Sequence, residues 1–88
     1  MDNTTLDGNA AGGILREIFP FEMTLVEGTC AHCGNTRPVG ELLAYMTNMG
    51  TVIRCPTCDS VLIRIVSTKG RYWLDMQGVR VLQIRTEL

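Results

Sequence analysis

Every cysteine of the chain falls in one of two matched pairs, Cys30-Ala-His-Cys33 and Cys55-Pro-Thr-Cys58. Each Cys-x-x-Cys sets two sulfurs on one tight turn, and the segment between the pairs brings the turns together. Two such turns about twenty residues apart supply the thiolates of a tetrahedral zinc site. The expected ligands are Cys30, Cys33, Cys55 and Cys58, holding one Zn2+ per chain. Gly34 follows the first pair, where the chain often needs a positive φ. Asp59 stands at the matching place after the second pair and tolerates that conformation better than most residues. Pro56 stiffens the second turn. With all ligands drawn from the protein the coordination sphere is closed, and no position remains for a catalytic water. That chemistry is structural or sensing, not hydrolytic.

Other chemistries use the same letters. A thiol–disulfide oxidoreductase needs one Cys-x-x-Cys between a strand and a helix in a βαβ setting, and neither pair has it. A rubredoxin-like carrier also holds its metal with two Cys-x-x-Cys turns, but the metal is iron. Such a carrier packs a small aromatic core, whereas the aromatics here are only Phe19, Phe21, Tyr45, Tyr72 and Trp73 and aliphatic strands dominate. Two disulfides would suit a small secreted chain. The polar, acidic start Met1-Asp-Asn-Thr-Thr-Leu-Asp7 is unlike a secretory leader, and no apolar run approaches the ~20 residues of a membrane span. A cytoplasmic setting with reduced thiols is therefore expected. His32 lies inside the first turn. It is a candidate alternative ligand or proton-linked switch, but the third position of such a turn points away from the metal, so a solvent-facing role is preferred. No Ser/His/Asp set, phosphate-binding glycine loop or convincing carboxylate pair is present, and one histidine offers little for acid–base catalysis. The chain reads as a non-enzyme.

The elements that must position the cysteines are mostly strands. Residues 1–6 read as a disordered terminus and 7–88 as one domain. Asp7-Gly-Asn-Ala opens a helix with Asp7 or Asn9 as its N-cap. Ala11, Ile14, Leu15 and Ile18 follow the spacing of one apolar helical face. Gly12 and Gly13 weaken the helix, and Pro20 ends it. Phe21 to Val26 reads as extended and leads through Glu27-Gly28-Thr29 into the first cysteine turn. Glu41 to Thr47 and Thr51 to Arg54 form a hairpin about Asn48-Met49-Gly50. Val61 to Ser67, Tyr72 to Met76 and Val79 to Arg85 follow as strands, punctuated by Lys69-Gly70 and Gly78. The order lacks the strand–helix alternation of a βαβ unit. The expected fold is a small, β-rich, mostly antiparallel zinc ribbon with a C-terminal β-meander and one N-terminal helix.

A chain of 88 residues is one domain. It buries only ~60% of its unfolded surface, which makes an apolar core marginal without a further tie. Zinc is such a tie, worth ~10–16 kcal/mol apparent in finger-like peptides. The formal net charge is −1, and four thiolates with Zn2+ would bring it to about −3. Residues 1–44 carry a balance of −4 and residues 45–88 a balance of +3. The chain as a whole is therefore not a nucleic-acid binder by charge, although its C-terminal half can present a basic face.

Alternation places Arg71, Trp73 and Asp75 on one face of their strand, and Arg64 on the Leu62 and Val66 face of its own. Arg64, Arg71 and Trp73 are candidate partner-binding residues, a basic-aromatic platform for nucleotides or RNA phosphate. The plainer and preferred reading has Trp73 covering the core against the helix and the arginines lining a solvated sheet face. The Ile14, Leu15, Ile18 stripe is the helix's own core face in preference to a docking stripe. Glu17, Glu22 and Glu27 read as solvated surface.

Asp7-Gly-Asn-Ala10, Gly28-Thr-Cys-x-x-Cys-Gly34, Arg54-Cys-Pro-x-Cys-Asp59 and Trp73-Leu-Asp75 together resemble a family of small, uncharacterised bacterial zinc-ribbon proteins common in actinobacteria. The resemblance covers roughly residues 7–76. It implies a four-thiolate zinc site at Cys30, Cys33, Cys55 and Cys58 and no enzyme activity. The cysteine-turn motifs are also similar to those of a mycobacterial factor that recruits a ribosome-hibernation protein under zinc limitation. The expected function is a cytoplasmic, non-enzymatic zinc-binding module with a protein or ribosomal partner, as a monomer or small homo-oligomer. A zinc-responsive regulator and an iron electron carrier are the alternatives.

Overall fold

The protein is described from a computed structural model over residues 5–85. It contains two antiparallel sheets and one short helix. The strands are β1 (Thr5–Asp7), β2 (Glu27–Cys30), β3 (Thr36–Pro38), β4 (Leu43–Thr47), β5 (Gly50–Arg54), β6 (Val61–Thr68), β7 (Arg71–Asp75) and β8 (Val79–Gln83). The larger sheet has the order β1-β4-β5-β6-β7 and the smaller β3-β2-β8. With its cysteine cluster, this is the small β fold expected of a zinc ribbon. Among the described residues no helix is long and apolar enough to cross a membrane.

The helix α1 (Gly12–Ile18) is shorter than the sequence pattern suggests, because Gly8–Ala11 form a 3-10 turn before it. Asp7 caps that turn by accepting the Asn9 N–H, at 3.2 Å, since its carboxylate satisfies a donor with no partner inside the helix. The Phe19 N–H closes the helix on the Leu15 carbonyl before Pro20 stops it. Leu15 is fully buried and Ile14 and Ile18 pack beside it, so the apolar stripe is the helix's own core face. Gly13 is exposed, and a methyl group there would meet nothing within 4 Å. Gly13→Ala is expected to raise stability by about 0.5–1 kcal/mol, read as an upward shift of the denaturation midpoint.

The inner face of the larger sheet carries Ala44, Ile53, Ile63 and Ile65, all buried, and the three isoleucines form one core with Leu15 of α1, Met23, Val26 and Val39. Tyr72 also points to this side, and its hydroxyl donates to Glu17 on α1. That carboxylate holds the phenol above its ordinary pKa, because it favours the protonated donor.

Several expectations need correction. Disorder over residues 1–6 fails at Thr5 and Leu6, which pair with Tyr45 and Ala44 as β1; residues 1–4 lie outside the described residues. Phe21–Val26 is not a continuous extended segment: Met23–Leu25 form a 3-10 turn that buries Met23, because the chain must turn to feed β2. Residues 39–41 are likewise a 3-10 turn, so β4 begins at Leu43 rather than Glu41. Strand β6 does not alternate throughout. A register shift opposite Ile53 and Arg54 leaves both Leu62 and Ile63 buried, as a bulge does by placing two residues against one. The meander runs from β4 to β7, and β8 leaves it to pair with β2.

Candidate metal centre

Each cysteine pair forms the tip of a β-hairpin. In the first, between β2 and β3, the Cys30 N–H donates to the Asn35 carbonyl (2.8 Å) and the Gly34 N–H to the Cys30 carbonyl (2.9 Å). The second, between β5 and β6, repeats the pattern: Cys55 N–H to Ser60 carbonyl at 2.9 Å and Asp59 N–H to Cys55 carbonyl at 2.8 Å. The residue after each second cysteine adopts a left-handed conformation, Gly34 at φ 80° and Asp59 at φ 64°. Asp59 is the only non-glycine with positive φ among the described residues. The two turns are therefore the same local structure built from different residues, and each delivers two sulfurs to one side.

The hairpins meet sulfur to sulfur. Cys30 Sγ lies 3.6 Å from Cys58 Sγ, and Cys33 Sγ lies 3.7 Å from Cys55 Sγ. All ligand atoms of the cluster lie within 4.8 Å of one another. A tetrahedron with metal–sulfur bonds of ~2.3 Å has sulfur–sulfur edges of about 3.8 Å. The four cysteines are free and fit a single metal ion by this test. Backbone donors support the same arrangement: the His32 and Cys33 N–H groups approach Cys30 Sγ at 3.4 and 3.5 Å. These donors compensate the negative charge of a coordinated thiolate. Asn35 Nδ2 ties the turns together by donating to Thr57 Oγ1, at 2.8 Å.

Without a cation, the sulfurs share protons unequally. For Cys33, the Asn35 backbone N–H favours the thiolate. Loss of hydration and the Cys55, Cys58 and Cys30 sulfurs outweigh it, and the thiol is pushed up to about 12. Cys58 is drawn down to about 6, first by the Ser60 hydroxyl at 3.3 Å and then by the Ser60 backbone N–H. Four neighbouring thiolates need a positive ion between them. Cys30 and Cys55 are buried among the core side chains, whereas Cys33 is exposed and Cys58 half-buried. The centre therefore sits at the rim of the core with one edge toward solvent. His32 is exposed and stands outside the cluster.

The other candidate residues lie away from the metal centre. Arg64, Arg71 and Trp73 share the outer face of the larger sheet, opposite α1. The register places Tyr45, Val52, Arg64 and Asp75 in one row across β4 to β7, with Val66 opposite Trp73 in the next. Trp73 is 57% exposed, so it does not cover the core against the helix. The inward side of β7 belongs to Tyr72 and Leu74. Sequence reading missed two residues of this face. Tyr45 and Arg54 come together across the hairpin, with the Arg54 guanidinium 5.7 Å from the Tyr45 ring centroid. The Asn48-Met49 turn carried the signal, because its register sets Tyr45 on the face of Val52 and Arg54.

A family model described as a family of unknown function (DUF6510) matches residues 2–87. No curated protein and no solved structure matches the chain.

Proposed function

The chain belongs to DUF6510, a family of unknown function, and we propose that it is a non-enzymatic zinc-binding module of the cytoplasm whose metal holds together a surface for a protein or ribosomal partner. The observation carrying this reading is the four-sulfur cluster, with edges of 3.6 and 3.7 Å, contributed by two hairpins of different sheets. A tetrahedral ion there has all its positions filled by sulfur, so its work is to join hairpins and not to activate water. A hard cation would prefer oxygen ligands, whereas zinc suits thiolates.

X-ray absorption at the metal edge, on protein purified without added metal, tests the reading. Zinc at one ion per chain with four sulfurs at ~2.3 Å is the expected result. An oxygen ligand would reopen the question of catalysis. A coloured, iron-loaded protein would favour the electron carrier instead.

A second reading has one observation in its favour. Cys33 is exposed and Cys58 half-buried, so chelators and competing thiols reach the ion from solvent. A zinc-responsive regulator of the ribosome-hibernation recruitment type would use that access. It requires exchange at physiological zinc levels, and metal retention against a graded series of chelators measures it.

A further inference from the structure

We infer that the outer face of the larger sheet binds single-stranded RNA. The inference rests on the reading of this domain as a macromolecule-binding module and names the class of partner.

The face combines two features that seldom coincide on a solvated sheet. One is aromatic surface: Trp73 is 57% exposed on β7, and Tyr45, half-buried on β4, has the Arg54 guanidinium over its ring. Three strand spacings separate those strands, about 14 Å at ~4.8 Å each. The other is cationic charge set between and beside the rings. Arg54 and Arg64 line a groove of about 710 Å3 together with Tyr45, Val52 and Val66. Arg71 extends the basic run on the edge strand, opposite Thr68. Arg64 and Arg71 make no ion pair among the described residues. Glu17, by contrast, lies on the helix side of the sheet, held to Tyr72. The carboxylates on the outer face are Asp75, the register partner of Arg64, and Asp59 at the groove.

A single-stranded nucleic acid uses both features, with bases stacking on the rings and phosphates meeting the guanidinium groups. An acidic peptide would engage the arginines and leave the rings idle. A duplex needs an element that enters a groove, and α1 lies on the opposite side of the sheet. The choice of RNA follows from Asp59, which lines the same groove and bears an exposed carboxylate. It repels a phosphate but accepts a hydrogen bond from a ribose 2′-hydroxyl.

The metal centre and this face are joined at one residue. Arg54 precedes Cys55, and its guanidinium donates to the Asp59 carbonyl at 2.7 Å, with the Asp59 carboxylate 3.6 Å away. One wall of the groove is therefore built on the second cysteine turn.

The test titrates the metal-loaded chain against a fluorescein-labelled, mixed-sequence single-stranded RNA of about 12 nucleotides, a length within the range one small domain tracks. Anisotropy gives affinity. Trp73, the only tryptophan, reports stacking by its own fluorescence. The expected result is saturable binding with quenching of Trp73. Trp73→Ala and Arg64→Ala should each weaken it by about fivefold to a hundredfold. Arg64→Ala should also lower the logarithmic salt slope by about 0.7. Both side chains are exposed, and metal content measured on the same samples checks that the variants retain the centre. No saturable RNA binding would overturn the inference. So would poly-glutamate binding with the same dependence on both residues, which would assign the face to an acidic protein segment. Equal affinity for DNA of the same sequence would overturn the choice of RNA. Zinc found at one ion per chain beside failed RNA binding defeats only this inference. Absence of zinc defeats the reading beneath it.

Discussion

Chelating the metal is expected to abolish the fold, not merely to loosen it. A structural zinc contributes ~10–16 kcal/mol apparent, as much as the whole net stability of a domain, ~5–15 kcal/mol. The two deepest ligands are part of the core: Cys30 and Cys55 are each 1% exposed and pack with Leu15, Ile53 and Ile63. Removing the ion leaves thiols of unequal protonation at the seam between the sheets, and nothing of equal strength replaces four metal–sulfur bonds. Far-UV circular dichroism during a chelator titration should show the β signal lost in one transition and restored by added zinc. Cys55→Ser should behave like the metal-free chain even in excess zinc, because a serine hydroxyl stays protonated at neutral pH. Cys33→Ser, at the exposed edge, should keep a weaker site. Acid acts in the same direction. The holo cluster binds no protons on sulfur, whereas unfolded cysteines hold theirs below a pKa of about 8.5. The unfolded state therefore binds more protons, stability rises with pH up to that value, and it is lost on acidification. A metal-free chain with an unchanged far-UV spectrum would refute the structural role and favour the zinc-responsive reading.

Gly78→Ala is expected to cost about 3 kcal/mol, the upper part of the range for overpacking. Gly78 lies where the chain leaves β7 and crosses to the smaller sheet. A methyl group there would overlap the Val61 carbonyl oxygen and stand 2.6 Å from Leu62 Cα and 2.9 Å from the Val61 carbonyl carbon. These are backbone atoms of β6, an interior strand, so no side chain can swing aside. The Gly78 carbonyl also accepts the Ala31 N–H, at 2.8 Å, inside the first cysteine turn. Displacing the crossover therefore disturbs the metal centre as well as the core. Urea denaturation of metal-loaded protein should show the loss, together with faster metal transfer to a chelator. Gly13→Ala is the control, since the same chemical change on the open helix face should stabilise. Equal denaturation midpoints for Gly78→Ala and the parent chain would show that the close approach carries no energetic weight.

The cysteine centre was legible in the sequence because its geometry is local. Cys-x-x-Cys, a following residue able to adopt positive φ and a flanking strand describe a turn with no reference to the rest of the chain. Gly34 and Asp59 occupy matching positions for this reason. The β4–β5 hairpin and the β6 and β7 strands were legible on the same grounds, through alternation and short turn segments. Strands β1, β2 and β3 were not. They are three or four residues long, too short to show a period of two. Strand β1 exists only because β4, far along the chain, accepts it at Thr5 to Asp7. Leaving Glu27–Cys30 as a mere link to the first turn had the same cause: β2 is defined by its partners β3 and β8.

Trp73 marks the boundary between the two kinds of knowledge. A period of two is a property of the backbone, so the sequence by itself determined that Arg71, Trp73 and Asp75 share a face. Which side of the sheet that face lies on depends on where α1 and the smaller sheet pack. The tertiary structure decided it: Ile53, Ile63 and Ile65 bury more apolar surface on the inner side than the outer row of Tyr45, Val52 and Arg64 would allow, and Trp73 was left facing water. Local conformation follows from residue type and spacing. The pairing of distant strands and the choice of buried face follow from apolar surface summed over the whole chain.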